Sequence, residues 1–542
     1  MKKFLCVLFA VVMLFALVAC GKNAADDQND NTPENGPNDT PAQADDLTPP
    51  KKLTIGTSGL LGRFLAGLSP SEDLIGCDAV FDTVFRWDPY EKKAFSNILE
   101  SWEWEDDTTF VAHMRDDVYF SNGENATAED LVFSYLSHIE RGSNYVNPAK
   151  LVVDECYARD KYTAQFKMEE PYPGFPYLRV YLIDKSWSQG LAEGWDSQEW
   201  YRPVGSGPYR VEEWVSDSHM LLKSRGDEYW YKDEGPIVID EILIKMYPDA
   251  STLFMALETG EIDVAASVAS SDYERFLDVG GNGYDITTNV TGSLMYFCFN
   301  FKSTDKWDDI RVREAVALGV KWDEIGRAAY GPFYNQAKSV ASVMCPDYIE
   351  VGTYEYNPER AKQLLAEAGY GPNNPLKIET TLMQGPFYEN SFEVFQFYAN
   401  QLGIEATCEF VDASTGIAAW ISPTGCEYGF WSMYGGSPGG QLNWTLGWVD
   451  DQTGVFFTHI TDPKFLELYK TVKSSTDENE RSKAAKELQQ YAHDGFWRIP
   501  ISEETVAFGY RTDKIKREQL ERIAIAPNHL QVSRLALESF WK

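Results

Sequence analysis

Val204-Gly205-Ser206-Gly207-Pro208-Tyr209-Arg210-Val211 opens the stretch around which the chain is organised, and Leu257-Glu258-Thr259-Gly260-Glu261-Ile262-Asp263 closes it. The Gly-Pro turn at Gly205 to Pro208 feeds a strand from Tyr209 to Trp214. The run Ile237 to Tyr247 reads as a longer strand, too rich in Ile and Val for the surface. Asp249 then caps a helix from Ala250 to Thr259, and Gly260 stands where a left-handed stop is expected. A strand pair, an apolar strand and a capped helix in this order are the framework of an α/β lobe.

The charge balance narrows what such a framework can bind. Across 542 residues, 48 Lys and Arg stand against 83 Asp and Glu, a formal charge of -35. That surface repels phosphate backbones and anionic membrane patches, so nucleic-acid binding is not expected. Aromatic residues make up 14% of the chain, enough for some rings to line a cleft as well as fill a core. The length points to three or four structural units.

The amino terminus carries two positive residues, Lys2 and Lys3, and then an apolar run from Phe4 to Ala19. A run this short is a secretory signal rather than a spanning helix. Leu17-Val18-Ala19-Cys20 resembles a bacterial lipobox, in which Cys20 is diacylated and becomes the first mature residue. Two acyl chains anchor stably where one binds marginally. Residues 21–50 are polar, acidic and nearly free of large apolar side chains, as a disordered tether is. Six cysteines lie beyond it, at 77, 156, 298, 345, 408 and 426, without CxxC spacing, and no pairing follows from them.

In chain order, Leu53 to Thr57 reads as the first strand and Cys77 to Phe85 as helix-like. Leu99 to Gly123 is a strand meander with turns at Asp106-Asp107 and Asn122-Gly123. Thr127-Ala128-Glu129-Asp130 fits a capping box opening a helix to about Glu140. Tyr162, Ala164, Phe166 and Met168 alternate as in a half-buried strand. In the second half, Asn357 caps a helix with Pro358 at its first position, Gly369 as its stop and a stripe of Ala361, Leu364, Leu365 and Ala368. Strand Leu376 to Leu382, helix Tyr388 to Leu402 and strand Glu405 to Val411 alternate as in a parallel or mixed sheet. Cys298 lies in the apolar strand Leu294 to Phe301, and Arg498 to Ser502 and Val506 to Tyr510 read as two short strands.

An ordered series of motifs runs through these elements. It comprises Leu99-Glu100-Ser101-Trp102, Arg115-Asp116-Asp117-Val118 with Phe120, and Asn122-Gly123 followed by Thr127 to Leu131. It continues with Val204 to Tyr209, Leu257 to Asp263, Phe299-Asn300 with Ile310 to Ala315, and Tyr356-Asn357-Pro358 through Ala368-Gly369-Tyr370. The series resembles the solute-binding proteins of oligopeptide, dipeptide and nickel ABC importers, over nearly all of the chain after the tether. The resemblance implies a two-lobed α/β fold of the periplasmic-binding-protein type, in its large three-domain variant, with a hinge between the lobes. Lobe I would comprise residues 51–85, 203–292 and 500–542, with residues 86–202 inserted as a subdomain, and lobe II residues 293–499. The stretch Val204 to Asp263 is then the chain's return into lobe I after the insertion, scaffold and hinge-side wall rather than the main ligand anchor.

The resemblance also implies a function. A lipid-anchored protein outside the cytoplasmic membrane, acting as a monomer without cofactor or metal, would capture a peptide or peptide-like solute. It would deliver that solute to a membrane permease and its ATPases. Gly429-Phe430-Trp431-Ser432-Met433-Tyr434-Gly435-Gly436-Ser437-Pro438 resembles the family's ligand-binding turn. Glycines admit backbone groups close to a ligand and the rings supply flat walls. Trp431, Tyr434, Gly435, Gly436 and Ser437 are the binding candidates there, and Ser71 and Glu72 are those on the facing lobe. Members that bind a free amino terminus carry Asp three residues after this Trp; here Tyr434 stands there, and Ser437 replaces the next Asp. A neutral phenol does not replace a charge-assisted bond to an ammonium group, which leaves Asp450, Asp451 or Glu72 for that role.

Other readings of the same residues are a solute sensor or chaperone-like binder on this fold, a nickel or metal-chelate binder, and a secreted serine hydrolase using Ser437. Gly435-Gly436-Ser437-Pro438-Gly439 formally matches G-x-S-x-G, but Pro438-Gly439-Gly440 is a poor helix start for a nucleophile elbow. The six His residues never occur as HxH or HxxxH, and no Gly-Lys-Thr phosphate loop appears. The chain is therefore expected not to be an enzyme.

Overall fold

The structure, a computed structural model, describes residues 47–59, 64–65, 75–88, 93–141, 146, 149–433, 459–526 and 529–541. The first strand, β1 (Lys52–Thr57), lies at the middle of the main sheet. After it comes a separate antiparallel sheet with β2 (Leu99–Asp106), β3 (Thr109–Met114) and β4 (Thr163–Lys167), edged by Tyr157–Ala158. Helix α1 (Ala128–Glu140) packs on it, and the Asp130 carboxylate accepts the Thr127 backbone N–H at 2.8 Å, closing the expected capping box.

The organising stretch behaves as its residue types require, with one exception. β5 (Tyr209–Val215) and β6 (His219–Ser224) form the hairpin at one edge of the main sheet, and β7 (Glu241–Met246) pairs β6 on one side and runs parallel to β1 on the other. Gly205 and Gly207 are needed at the turn because a Cβ on either would collide with the carbonyl oxygens of Val80 and Ala79. Helix α2 (Ala250–Thr259) begins with the Asp249 carboxylate on the Thr252 N–H at 2.8 Å and ends at Gly260, whose φ is 75°. The exception is the strand expected from Ile237 to Tyr247. Its first residues turn instead to the carboxyl-terminal segment, with Ile237 bridged to Leu537 and the Val238 N–H on the Ala536 carbonyl at 2.7 Å. Likewise the expected helix Cys77 to Phe85 is a single turn, Cys77–Val80. Beyond it Thr83 bridges to Tyr181, and the Asp82 carbonyl accepts from the Leu182 N–H at 2.9 Å.

β8 (Val264–Ala265) lies parallel to β1, and two long strands follow from it across the sheet. β9 (Tyr284–Phe299) begins ten residues before the apolar strand that the sequence suggests at Leu294. The two short strands expected near the carboxyl terminus are one continuous strand of fourteen residues, Arg498–Arg511. Polar residues in the middle of both runs, Thr291-Gly292-Ser293 and Ser502-Glu503-Glu504-Thr505, conceal their continuity from a hydrophobic-period reading.

The elements between them build a second α/β assembly. Helices α3 (Ile310–Gly319), α4 (Trp322–Tyr330) and α5 (Pro358–Glu367) come first, with Asn357 capping α5 on the Arg360 N–H at 3.0 Å. Strands β10 (Leu376–Met383) and β11 (Ile404–Val411) pair in parallel through α6 (Pro386–Leu402), as the alternation predicts. After α7 (Ala413–Ile421), β12 (Tyr428–Met433) joins the main sheet beside β9. Helices α8 (Pro463–Ser474) and α9 (Glu478–Asp494) lead into β13, the strand Arg498–Arg511. The main sheet thus reads β12-β9-β13-β8-β1-β7-β6-β5.

Apolar burial divides this sheet. Leu53 and Ile55 of β1 and Val506, Phe508 and Tyr510 of β13 pack in one core, while Leu294 to Phe299 of β9 and Ile499 and Ile501 of β13 pack in another. β13 passes from one core to the other, and β9 runs beside it, its first half packing through Tyr284 and Ile286 in a third, smaller core with Ala507 of β13. Their pairing loses register between Val290 and Leu294, around Gly292 with φ 86°. Polar side chains of the two cores' elements also meet. The Thr476 hydroxyl donates to Asp107 at 2.8 Å, and Glu170 takes both Lys150 at 2.9 Å and Lys473 at 3.5 Å. Among the described residues no two cysteines are joined in a disulfide. Among the described residues no helix is long and apolar enough to cross a membrane.

Candidate functional site

Alternation along β12 decides which of its side chains are available. Tyr428 and Phe430 are fully buried against Phe297 of β9, Tyr428 stacked at 5.3 Å and Phe430 edge-on at 5.5 Å between ring centres. Trp431 is half-buried, its ring 4.2 Å from that of the buried Trp420 on α7. Register then fixes where the strand leads. Trp431 lies opposite Tyr296, and Met433 opposite Leu294, the first residue of β9 after the crossing. The chain leaves β12 at the point where β9 and β13 pass between cores.

Around that point is a run of rings that the sequence reading missed. Tyr330 ends α4, and its hydroxyl donates to the Ser432 hydroxyl at 2.8 Å. Phe387 and Tyr388 open α6. Ring centres follow one another from Tyr330 to Phe387 at 5.6 Å, Tyr388 at 4.8 Å and Trp420 at 5.6 Å. Burial pushes the Tyr388 phenol up to about 12, so it is a neutral donor at physiological pH. The available signal was the pairing of Gly-Pro breaks with aromatics at helix ends, Tyr330-Gly331-Pro332-Phe333 and Gly385-Pro386-Phe387-Tyr388.

The first core presents strand ends to the same place. β1 and β8 run parallel, and β8 pairs antiparallel with β13 at Tyr510 and Gly509. Beyond β8, the Val268 N–H donates to the Ala507 carbonyl at 3.0 Å, so this segment advances along β13 towards the crossing. At the carboxyl ends of these strands the hydroxyls of Ser58 and Ser267 are 3.2 Å apart. Open α/β sheets bind ligands outside the carboxyl ends of their parallel strands.

The crossing itself is acidic. Glu503 is buried and accepts from the Ser342 hydroxyl at 2.8 Å and the Val343 N–H at 2.9 Å. Glu504 is half-buried and accepts from the Thr291 hydroxyl at 2.7 Å. Of the candidates named from sequence, Trp431 is placed in this surround. Tyr434, Gly435, Gly436, Ser437, Ser71, Glu72 and Cys20 lie outside the described residues, as do Asp450 and Asp451. Among the described residues no three His, Cys, Asp or Glu side chains converge as a metal site would require.

Comparison with known proteins agrees with this architecture. Residues 94–456 match the model of bacterial extracellular solute-binding proteins, family 5. The oligopeptide-binding protein AppA of Bacillus subtilis is 26% identical over 419 residues, covering 69% of this chain and 71% of its own. The solved structure of HbpA2 from Haemophilus parasuis superposes with a TM-score of 0.74 at 19% identity, covering 85% of this chain and 95% of that one. DppA from Helicobacter pylori, solved with the peptide STSA, superposes with a TM-score of 0.64 at 18% identity, covering 89% and 98%. The motif series, the two-lobed α/β fold and the family match over most of the chain agree: this chain belongs to the bacterial extracellular solute-binding proteins of family 5.

Proposed function

We propose that this protein is the substrate-binding component of an ABC importer, taking a short peptide between its lobes and delivering it to a membrane permease and its ATPases. The observation that carries the reading is the convergence of β12, with Trp431, on the β9–β13 crossing that the carboxyl ends of β1 and β8 also approach. The likeness to the oligopeptide-binding protein of Bacillus subtilis supports the solute class.

Two strands passing between cores form a hinge with few soft dihedrals, and Gly292 in the left-handed region marks where the ladder lapses. Closure over a solute is then a population shift, driven only by what the solute gains in the closed state over the open one. The neutral phenols and half-buried rings suit a partly apolar, hydrogen-bonding solute. The lobe boundaries expected from sequence, the turn Tyr434 to Ser437 and the facing Ser71 and Glu72 as ligand contacts, the monomeric state and the diacyl anchor at Cys20 belong to the same proposal.

The test is calorimetry against pools of di- to pentapeptides, with small-angle scattering of the same samples. Saturable heat and a smaller radius of gyration on peptide addition are expected. No heat and no compaction with any pool would overturn the reading.

A further inference from the structure

Glu504 differs from most acidic residues of the chain in where it stands. It is half-buried on β13 at the crossing, and among the described residues its carboxylate meets one hydroxyl, that of Thr291, and no cation. Strand alternation separates it from Glu503, which is buried and bonded to Ser342 and Val343. Ser502, two residues before Glu504 and on its face, pairs Met295, which in turn pairs Ser432, so the Tyr330 phenol bonded to Ser432 is on the Glu504 side. Tyr330 is bonded to Ser432 of β12, the strand that carries Trp431, and it begins the run of rings through Phe387, Tyr388 and Trp420.

A carboxylate so placed favours a positive group, and aromatic faces attract one through their quadrupoles. The positions where the family resemblance would put acidic residues for this purpose, Tyr434 and Ser437, are neutral. We propose that Glu504 is a specificity-determining residue that receives a cationic group of the bound solute, an alkylammonium or guanidinium, at the hinge end of the Trp431 strand. The inference rests on the reading of the cleft as a peptide site. The cation has two possible sources in a peptide, its amino terminus or a Lys or Arg side chain.

Three probes separate these sources: trialanine, N-acetyl-trialanine, and N-acetyl-Ala-Lys-Ala. Each is titrated by calorimetry into the wild-type protein and Glu504→Gln, with Glu504→Asp as the charge-conserving control. Gln is nearly isosteric and still accepts from Thr291, so Glu504→Gln should melt as the wild type does. If the inference holds, Glu504→Gln binds one or both cationic probes at least about tenfold more weakly, about 1.4 kcal/mol. It binds N-acetyl-trialanine as the wild type does, and Glu504→Asp recovers part of the loss. Loss confined to trialanine assigns the site to the amino terminus, and loss confined to N-acetyl-Ala-Lys-Ala assigns it to a side chain. Equal affinity of the wild type and Glu504→Gln for both cationic probes overturns the inference and leaves the peptide reading standing. A wild-type protein that binds none of the three overturns the inference, and the absence of heat with every di- to pentapeptide pool overturns the peptide reading as well.

Discussion

Replacing Trp431 by Ala removes the one ring of β12 that the core does not bury. Two effects follow, and the structure separates them. The indole packs edge-on against Trp420 at 4.2 Å, so its loss loosens the α7 contact. Truncation of a fully buried Trp costs about 3–5 kcal/mol, and for this half-buried ring we expect about 2 kcal/mol of folding stability. The second effect is on the ligand. Losing a flat wall that covers about 40 Å² of apolar solute surface removes ~1 kcal/mol, and a lost aromatic or amide stacking contact removes about 0.5–1.5 kcal/mol more. Together these weaken binding by at least about tenfold. Urea unfolding measures the first and calorimetry with a peptide that binds the wild type measures the second. Trp431→Phe keeps a ring at the same place and should lose less than Trp431→Ala in both assays. A Trp431→Ala protein that melts cooperatively and binds that peptide with unchanged affinity would refute the placement of the site.

Three further outcomes follow from other parts of the molecule. Lys473→Glu puts like charges together at Glu170, beside the Thr476–Asp107 bond that joins elements of the two cores. Exposed ion pairs contribute about 0.2–1 kcal/mol each, so the ligand-free protein should shift towards a larger radius of gyration by scattering, with the difference fading in high salt. Asp82 is fully buried and accepts from Arg86, Tyr229 and Trp230, each at 3.0 Å. Asp82→Ala strands the buried Arg86 guanidinium and should cost about 3–5 kcal/mol in urea unfolding. Burial, reinforced by the charge of Arg179, lowers the His138 pKa from 6.5 to about 3. Between those values the unfolded chain binds the proton that the folded one refuses, so stability falls as pH drops through this window. The slope from this one group is up to about 1.4 kcal/mol per pH unit. His138→Gln should flatten the acid limb of unfolding free energy against pH by that amount.

Local rules carried the sequence reading far. Caps at Thr127, Asp249 and Asn357 and stops at Gly260 and Gly369 are set by interactions within a few residues, and the structure places each helix where those signals put it. What escaped was decided by partners distant in sequence. Ile237 and Val238 have a strand composition, but the carboxyl-terminal segment takes their hydrogen bonds. The continuity of β9 and β13 through Thr291–Ser293 and Ser502–Thr505 is polar because the crossing is, and polar residues read as breaks. The rings of Tyr330, Phe387, Tyr388 and Trp420 come from three helices that only the tertiary fold brings together; the Gly-Pro breaks beside the first three mark helix ends without showing that they meet.

The most direct test of the account is a crystal structure of the protein grown with a peptide that calorimetry shows to bind. The account predicts peptide density at the β9–β13 crossing, with Trp431 against it and the carboxyl ends of β1 and β8 facing it. Density seated elsewhere, such as the pocket between Trp322, Tyr334 and Tyr356 in the second core's assembly, with the crossing empty, would contradict it.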